Sequence, residues 1–75
     1  MVQMDQIEIE GIIIEQVTNR VYRVKLISSE FNGTILDINQ SGASYYDGII
    51  LRKGEKVAID YRRSAPDKSQ ITYRL

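Results

Sequence analysis

A glycine stands in the middle of the longest run of β-forming residues in this chain, QIEIEGIIIEQV at positions 6–17. Ahead of Gly11, Ile7 and Ile9 alternate with Glu8 and Glu10, which puts the isoleucines on one face of a strand and the acids on the other. Beyond it, Ile13 keeps the inner parity while Ile12 and Ile14 point the opposite way. Three isoleucines in a row imply a strand covered on both faces or strongly bent. A glycine inside such a run marks a bulge or a sharp coil, so this strand is expected to serve two parts of a curved sheet.

The turn TNR follows, and VYRVKLI alternates again, with Tyr22, Val24 and Leu26 opposite Arg23 and Lys25; the first two runs predict a hairpin. FNGTILDI predicts a third, less regular strand in which Gly33 marks a bend. NQSGASYYDG is too rich in small and polar residues for a strand and too poor in helix formers for a full helix. It reads as a loop with a short helical turn that Ser41 or Ser44 would cap. After IIL and the hairpin turn RKGEK, VAIDYR predicts a fourth strand with Val57, Ile59 and Tyr61 facing away from Ala58, Asp60 and Arg62. RSAPDKSQ holds the only proline, Pro66, and ITYRL predicts a fifth strand with Ile71, Tyr73 and Leu75 on one side. Tyr22, Tyr61 and Tyr73 all fall at inward parities and are expected in the core.

Five short strands with glycine bends predict an all-β fold, and barrel closure removes the strand edges that invite aggregation. An SH3-like barrel or a sandwich fragment uses similar pieces. The long bent first strand and the excursion between strands 3 and 4 favour a five-stranded OB-fold barrel, with a short helical turn or loop in that excursion. At 75 residues the chain forms one domain, 1–75.

Charge and composition narrow the function. Ten bases balance ten acids, but residues 1–19 carry four acids and no base, whereas residues 52–75 carry seven bases and three acids. That asymmetry suits a protein that docks one face on a polyanion, and also an ordinary solvated surface. With no cysteine and no histidine, disulfides, thiolate or imidazole metal sites and Ser-His or Cys-His nucleophiles are excluded, so no cofactor or metal and no enzyme activity are expected. Alternation accounts for Glu8, Glu10, Glu15 and Asp60 as strand-face charges rather than a catalytic pair. The turn RKGEK lacks the spacing of a phosphate-binding loop. No apolar stretch approaches the ~20 residues of a membrane helix, and a soluble, cytoplasmic or organellar protein is expected.

In order, these motifs resemble bacterial and plastid translation initiation factor 1, nearly from end to end. IEIEG and IIIEQVTNRVYRVKL resemble the family's opening through Glu8, Gly11, Glu15, Asn19, Arg23, Val24 and Leu26. Ser41 and Gly42 resemble the start of its SGK loop, IIL and KGEKV its IRIL and GDKV, and ITYRL its last strand. The resemblance implies an OB-fold monomer that binds the small ribosomal subunit near the aminoacyl site. There it would touch ribosomal RNA and a ribosomal protein and cooperate with the other initiation factors. It also implies basic contacts at Arg23, Lys68 and Arg74. Where the family loop continues with lysine and further bases, this chain has Ala43, Ser44, Tyr45, Tyr46 and Asp47, and Ile50 stands in place of a usual arginine.

Losing cations from a phosphate-facing loop weakens counterion-release binding, and stacking rings offer a substitute. Tyr45 and Tyr46 are therefore candidate stacking residues, or else they cap the barrel end and cover backbone. Arg62 and Arg63 are candidate phosphate contacts or a solvated loop edge, and Arg52 and Lys53 lie available in their turn. Two other functions fit the composition: a single-stranded RNA binder or RNA chaperone away from the ribosome, and a protein adaptor using an apolar patch around Ile12 and Ile14.

Overall fold

The computed structural model describes residues 5–46 and 48–75, so Asp47 lies outside the described residues. Five strands follow in chain order: β1 (Gln6–Gln16), β2 (Val21–Leu26), β3 (Ile35–Gln40), β4 (Lys56–Arg62) and β5 (Gln70–Arg74). A one-turn helix, α1 (Gly42–Tyr46), sits between β3 and β4, and 3-10 turns occupy Ser29–Phe31 and Pro66–Lys68. The sheet closes as β1-β2-β3-β5-β4, antiparallel throughout except for β3 against β5. This is the five-stranded OB-type barrel that the alternation predicts.

β1 serves two neighbours. Gln6 to Ile12 pair with β4, and Gly11 to Gln16 pair with β2. The two sets overlap at Gly11, which faces Leu26 on one side and Val57 on the other, and at Ile12, which faces Lys25 and Lys56. A Cβ at Gly11 would come within 2.5 Å of Val24 Cγ1 and 2.9 Å of Ile59 Cδ1. Gly11 is therefore a point of close approach across the barrel interior. The bulge expected at Gly11 lies three residues on: the register slips between Ile13, opposite Val24, and Glu15, opposite Arg23. Ile14 is the extra residue, and it and Ile12 are half-buried, not an open apolar patch.

The core consists of Ile9, Ile13, Tyr22, Val24, Leu26, Ile38, Leu51, Val57, Ile59, Tyr61 and Ile71, with Ile7, Phe31, Leu36 and Ile49 packed against it. Tyr22 and Tyr61 occupy their expected places, the latter packed against Phe31 with ring centres 4.6 Å apart and the planes tilted by 50°. Tyr73 does not: it is 44% exposed. The reason is a second slip, since Ile59 pairs with Ile71 but Ala58 pairs with Tyr73, which makes Thr72 the extra residue of β5. One added residue reverses the parity, and Tyr73 turns outward to donate its hydroxyl to Glu8 Oε1 at 2.8 Å.

The third run is also shorter than its β-forming residues suggest. Phe31 ends a 3-10 turn, and Gly33 adopts φ +89° so that its N–H reaches Leu26 O at 2.9 Å; β3 starts only at Ile35 and extends to Gln40. Gln40, Ser44 and Ser69 are the buried polar residues of the described chain. Among the described residues, no fully buried side-chain nitrogen or oxygen lacks a hydrogen-bond partner. No helix among them is long and apolar enough to cross a membrane.

Candidate nucleic-acid interface

α1 begins because Ser41 caps it: Ser41 Oγ accepts the Ser44 N–H at 3.2 Å, and Ser41 O accepts the Tyr45 N–H at 3.0 Å. It ends at Gly48, where φ +74° turns the chain back toward the barrel. Gln40 fastens the turn from inside, its Nε2 donating to Ser44 Oγ at 2.9 Å and to Ile49 O at 3.0 Å. With Ser44 held inward, the two following side chains project outward. Tyr45 is 39% exposed and Tyr46 82%. Their rings meet edge to face at 5.7 Å.

The antiparallel pairing of Val21 with Asn39 brings the β1–β2 turn beside the end of β3, and so beside α1. Thr18 Oγ1 accepts the Val21 N–H at 3.2 Å in that turn, and Arg20 O accepts the Gln40 N–H. Arg20 then extends over Tyr45, its guanidinium carbon 4.8 Å from the ring centre. Behind Tyr45 lies a recess of about 250 Å³ whose lining includes Gln16, Asn19, Tyr22, Gln40 and Ile50.

Across the recess, Ile50 is 63% exposed, and its carbonyl oxygen lies 3.5 Å from Arg74 Nη1. Glu55 organises this side: Oε1 accepts the Arg52 N–H at 2.7 Å, and Oε2 lies 3.6 Å from Arg74 Nη1. The turn itself is type II, with the Glu55 N–H bonded to Arg52 O and Gly54 at φ +88°. Arg20, Arg52 and Lys53 make no ion pair among the described residues. One end of the barrel thus carries Tyr45 and Tyr46 with Arg20, Arg52, Lys53 and Arg74 in linked positions. Two rings and four cations at one end of the barrel, Arg74 among them already paired with Glu55, can stack on unpaired bases and bind the phosphates between them.

The remaining candidates lie apart from this linked set. Arg23 sits in a cross-strand row between Glu15 and Asp37, bonded to both, with Nε 3.0 Å from Asp37 Oδ1. Asp37 first, then Glu15, holds its guanidinium more firmly protonated than usual, and the row carries one negative charge in excess. Arg63 pairs with Glu30 at 3.1 Å beside Phe31, and Glu30 likewise raises its basicity. Arg62 lies 3.7 Å from Asp60. Lys68 ends the second 3-10 turn, exposed and without an ion pair among the described residues. Arg20 is the member that sequence reasoning missed. TNR reads as a turn, and only the barrel's strand order shows that this turn lies against the tyrosines. Among the described residues, no cluster of three or more Asp or Glu side chains is placed to hold a metal ion. No protein-family model matches the chain.

Proposed function

We propose that this chain is a divergent relative of translation initiation factor 1 that binds the small ribosomal subunit near the aminoacyl site during initiation. The ordered resemblance of its motifs and its OB-type barrel support that reading. In it the protein is a binder, not a catalyst, and works beside the other initiation factors. The observation that carries the RNA reading is Tyr46: a ring 82% exposed on a capped and internally fastened turn covers no core, and it stands beside Tyr45, over which Arg20 lies. Stacking at Tyr46 and Tyr45 then replaces part of the electrostatic grip of a basic loop, with Arg20, Arg52, Lys53 and Arg74 on phosphates.

The test is co-sedimentation with small ribosomal subunits over a salt series, with and without the other initiation factors. The reading expects retention that Tyr45→Ala/Tyr46→Ala abolishes while thermal stability holds; unchanged retention of that variant would sink it. A second reading, a single-stranded RNA binder or chaperone away from the ribosome, draws on the bonded state of Arg23, a position the family resemblance makes basic. It expects equal affinity for short single strands and for whole subunits.

A further inference from the structure

A groove larger than the recess behind Tyr45 lies away from the tyrosine end. It measures about 520 Å³ and crosses the outer face of β1, β4 and β5, lined by Gln6, Ile7, Glu8, Asp60, Thr72 and Tyr73. A second hollow of about 210 Å³ shares Glu8 and Tyr73 with it and reaches Glu10, Ala58 and Leu75. Both arise from the slip in β5, which brings Tyr73 out of the core and lays it along the sheet. Leu75, 53% exposed, extends this apolar edge.

The charges on this face are arranged against their own comfort. Glu8 and Asp60 are direct cross-strand partners on β1 and β4, and like charges in that relation repel. Arg62 approaches Asp60 to 3.7 Å, but among the described residues Glu8 has only the neutral Tyr73 hydroxyl. Glu10 adds a third carboxylate, 4.0 Å from Lys56. The face has a ring, a half-buried isoleucine and an unneutralised carboxylate in one depression. RNA is repelled by such a surface; a cation with an apolar stem is complementary to it.

We propose that this groove docks an extended, arginine-bearing segment of a partner protein. One guanidinium lies between Glu8 and Asp60 and bonds to both, while its stem and plane pack on Tyr73. The segment's backbone runs along the β1–β4–β5 face toward Leu75. The inference stands on this face alone and does not depend on the RNA reading.

The test uses a fluorescein-labelled octapeptide alternating arginine with leucine, and the same peptide with citrulline, which keeps the shape of arginine without its charge. Anisotropy titration of the full chain is expected to show binding that citrulline abolishes, and Glu8→Gln or Asp60→Asn to weaken it about fivefold. Amide shifts on titration are expected at Ile7, Glu8, Asp60, Thr72 and Tyr73. Equal binding of the citrulline peptide, shifts centred on Tyr45 and Tyr46, or indifference to both substitutions would each overturn the proposal. So would concentration-dependent self-association abolished by Glu8→Gln, which assigns the groove to a second copy of this chain. Glu8→Gln is expected to leave RNA binding unchanged and Tyr45→Ala/Tyr46→Ala to leave peptide binding unchanged, so the two surfaces fail separately.

Discussion

The guanidinium of Arg20, in the turn between β1 and β2, stacks over the ring of Tyr45 in α1, bridging two segments 25 residues apart in sequence at 4.8 Å. The contact occupies one face of Tyr45, while Tyr46, in edge-to-face contact with it, stays 82% exposed. The arrangement separates two kinds of binding free energy that salt distinguishes.

Tyr46→Ala is expected to lower affinity for a short single-stranded RNA by about 1–3 kcal/mol with no change in the log-log salt slope. Arg20→Ala is expected to reduce that slope by about 0.7, the loss of one phosphate contact on a single strand. Fluorescence titration at four or more salt concentrations reads both quantities. A slope that responds to the tyrosine and not to the arginine contradicts the assignment.

Arg23 gives the complementary case. Glu15 and Asp37 already bond its guanidinium, so Arg23→Gln is expected to leave RNA affinity unchanged. Glu15→Gln/Asp37→Asn, which frees the cation, is expected to raise it. The same titration checks both variants.

Gly11→Ala is expected to destabilise the barrel by about 1–3 kcal/mol in denaturant unfolding, because the new methyl lands on Val24, which is fully buried and cannot move aside. Pairing it with Val24→Ala relieves that overlap. The double variant is therefore expected to be more stable than the sum of the two single losses implies.

Gln40→Leu removes the donor that satisfies Ser44 Oγ and Ile49 O, and is expected to cost about 1–3 kcal/mol of stability. It also unfastens α1 from the interior. RNA affinity is expected to fall with it although no contact residue has changed, and hydrogen exchange at the Tyr45 and Tyr46 amides to accelerate.

Asp5 supplies a pH dependence. Its carboxylate accepts the Ser64 N–H at 2.7 Å, and the bonds from Ser64, helped by the charges of Arg62 and Arg63, hold its pKa below the ordinary 3.8. A depressed carboxylate stabilises the native state above that value and loses its contribution as pH falls through the native pKa. The melting temperature of Asp5→Ala is expected to lie below that of the native sequence at neutral pH, and the gap to close as pH drops below 3.8.

Alternation was enough to place all five strands: VYRVKLI keeps Tyr22, Val24 and Leu26 inside and VAIDYR keeps Val57, Ile59 and Tyr61 inside, although Ala58, expected on the outer face, is buried as well. Ser41 as the cap of a single turn was legible for the same local reason. What was hidden came from slips of one residue. Parity predicts Tyr73 inside, and nothing within ITYRL announces that Thr72 is the extra residue; the slip is set by pairing with β4. Gly11 was visible as an irregularity, but its neighbours across the barrel, Val24 and Ile59, are 13 and 48 residues away in sequence. Arg20 was hidden in the same way, its role depending on which strand lies beside which.

The barrel's shortest join is the parallel one, where β3 meets β5 only at Asn39 with Gln70 and Gln40 with Ile71, extended by Ser41 N–H to Ile71 O at 2.8 Å. A cylinder opens first along its thinnest weld. The same Gln40 grips α1, so a parting of that weld is expected to slacken the tyrosine turn as well, tying the mobility of the two rings to the opening of the cylinder.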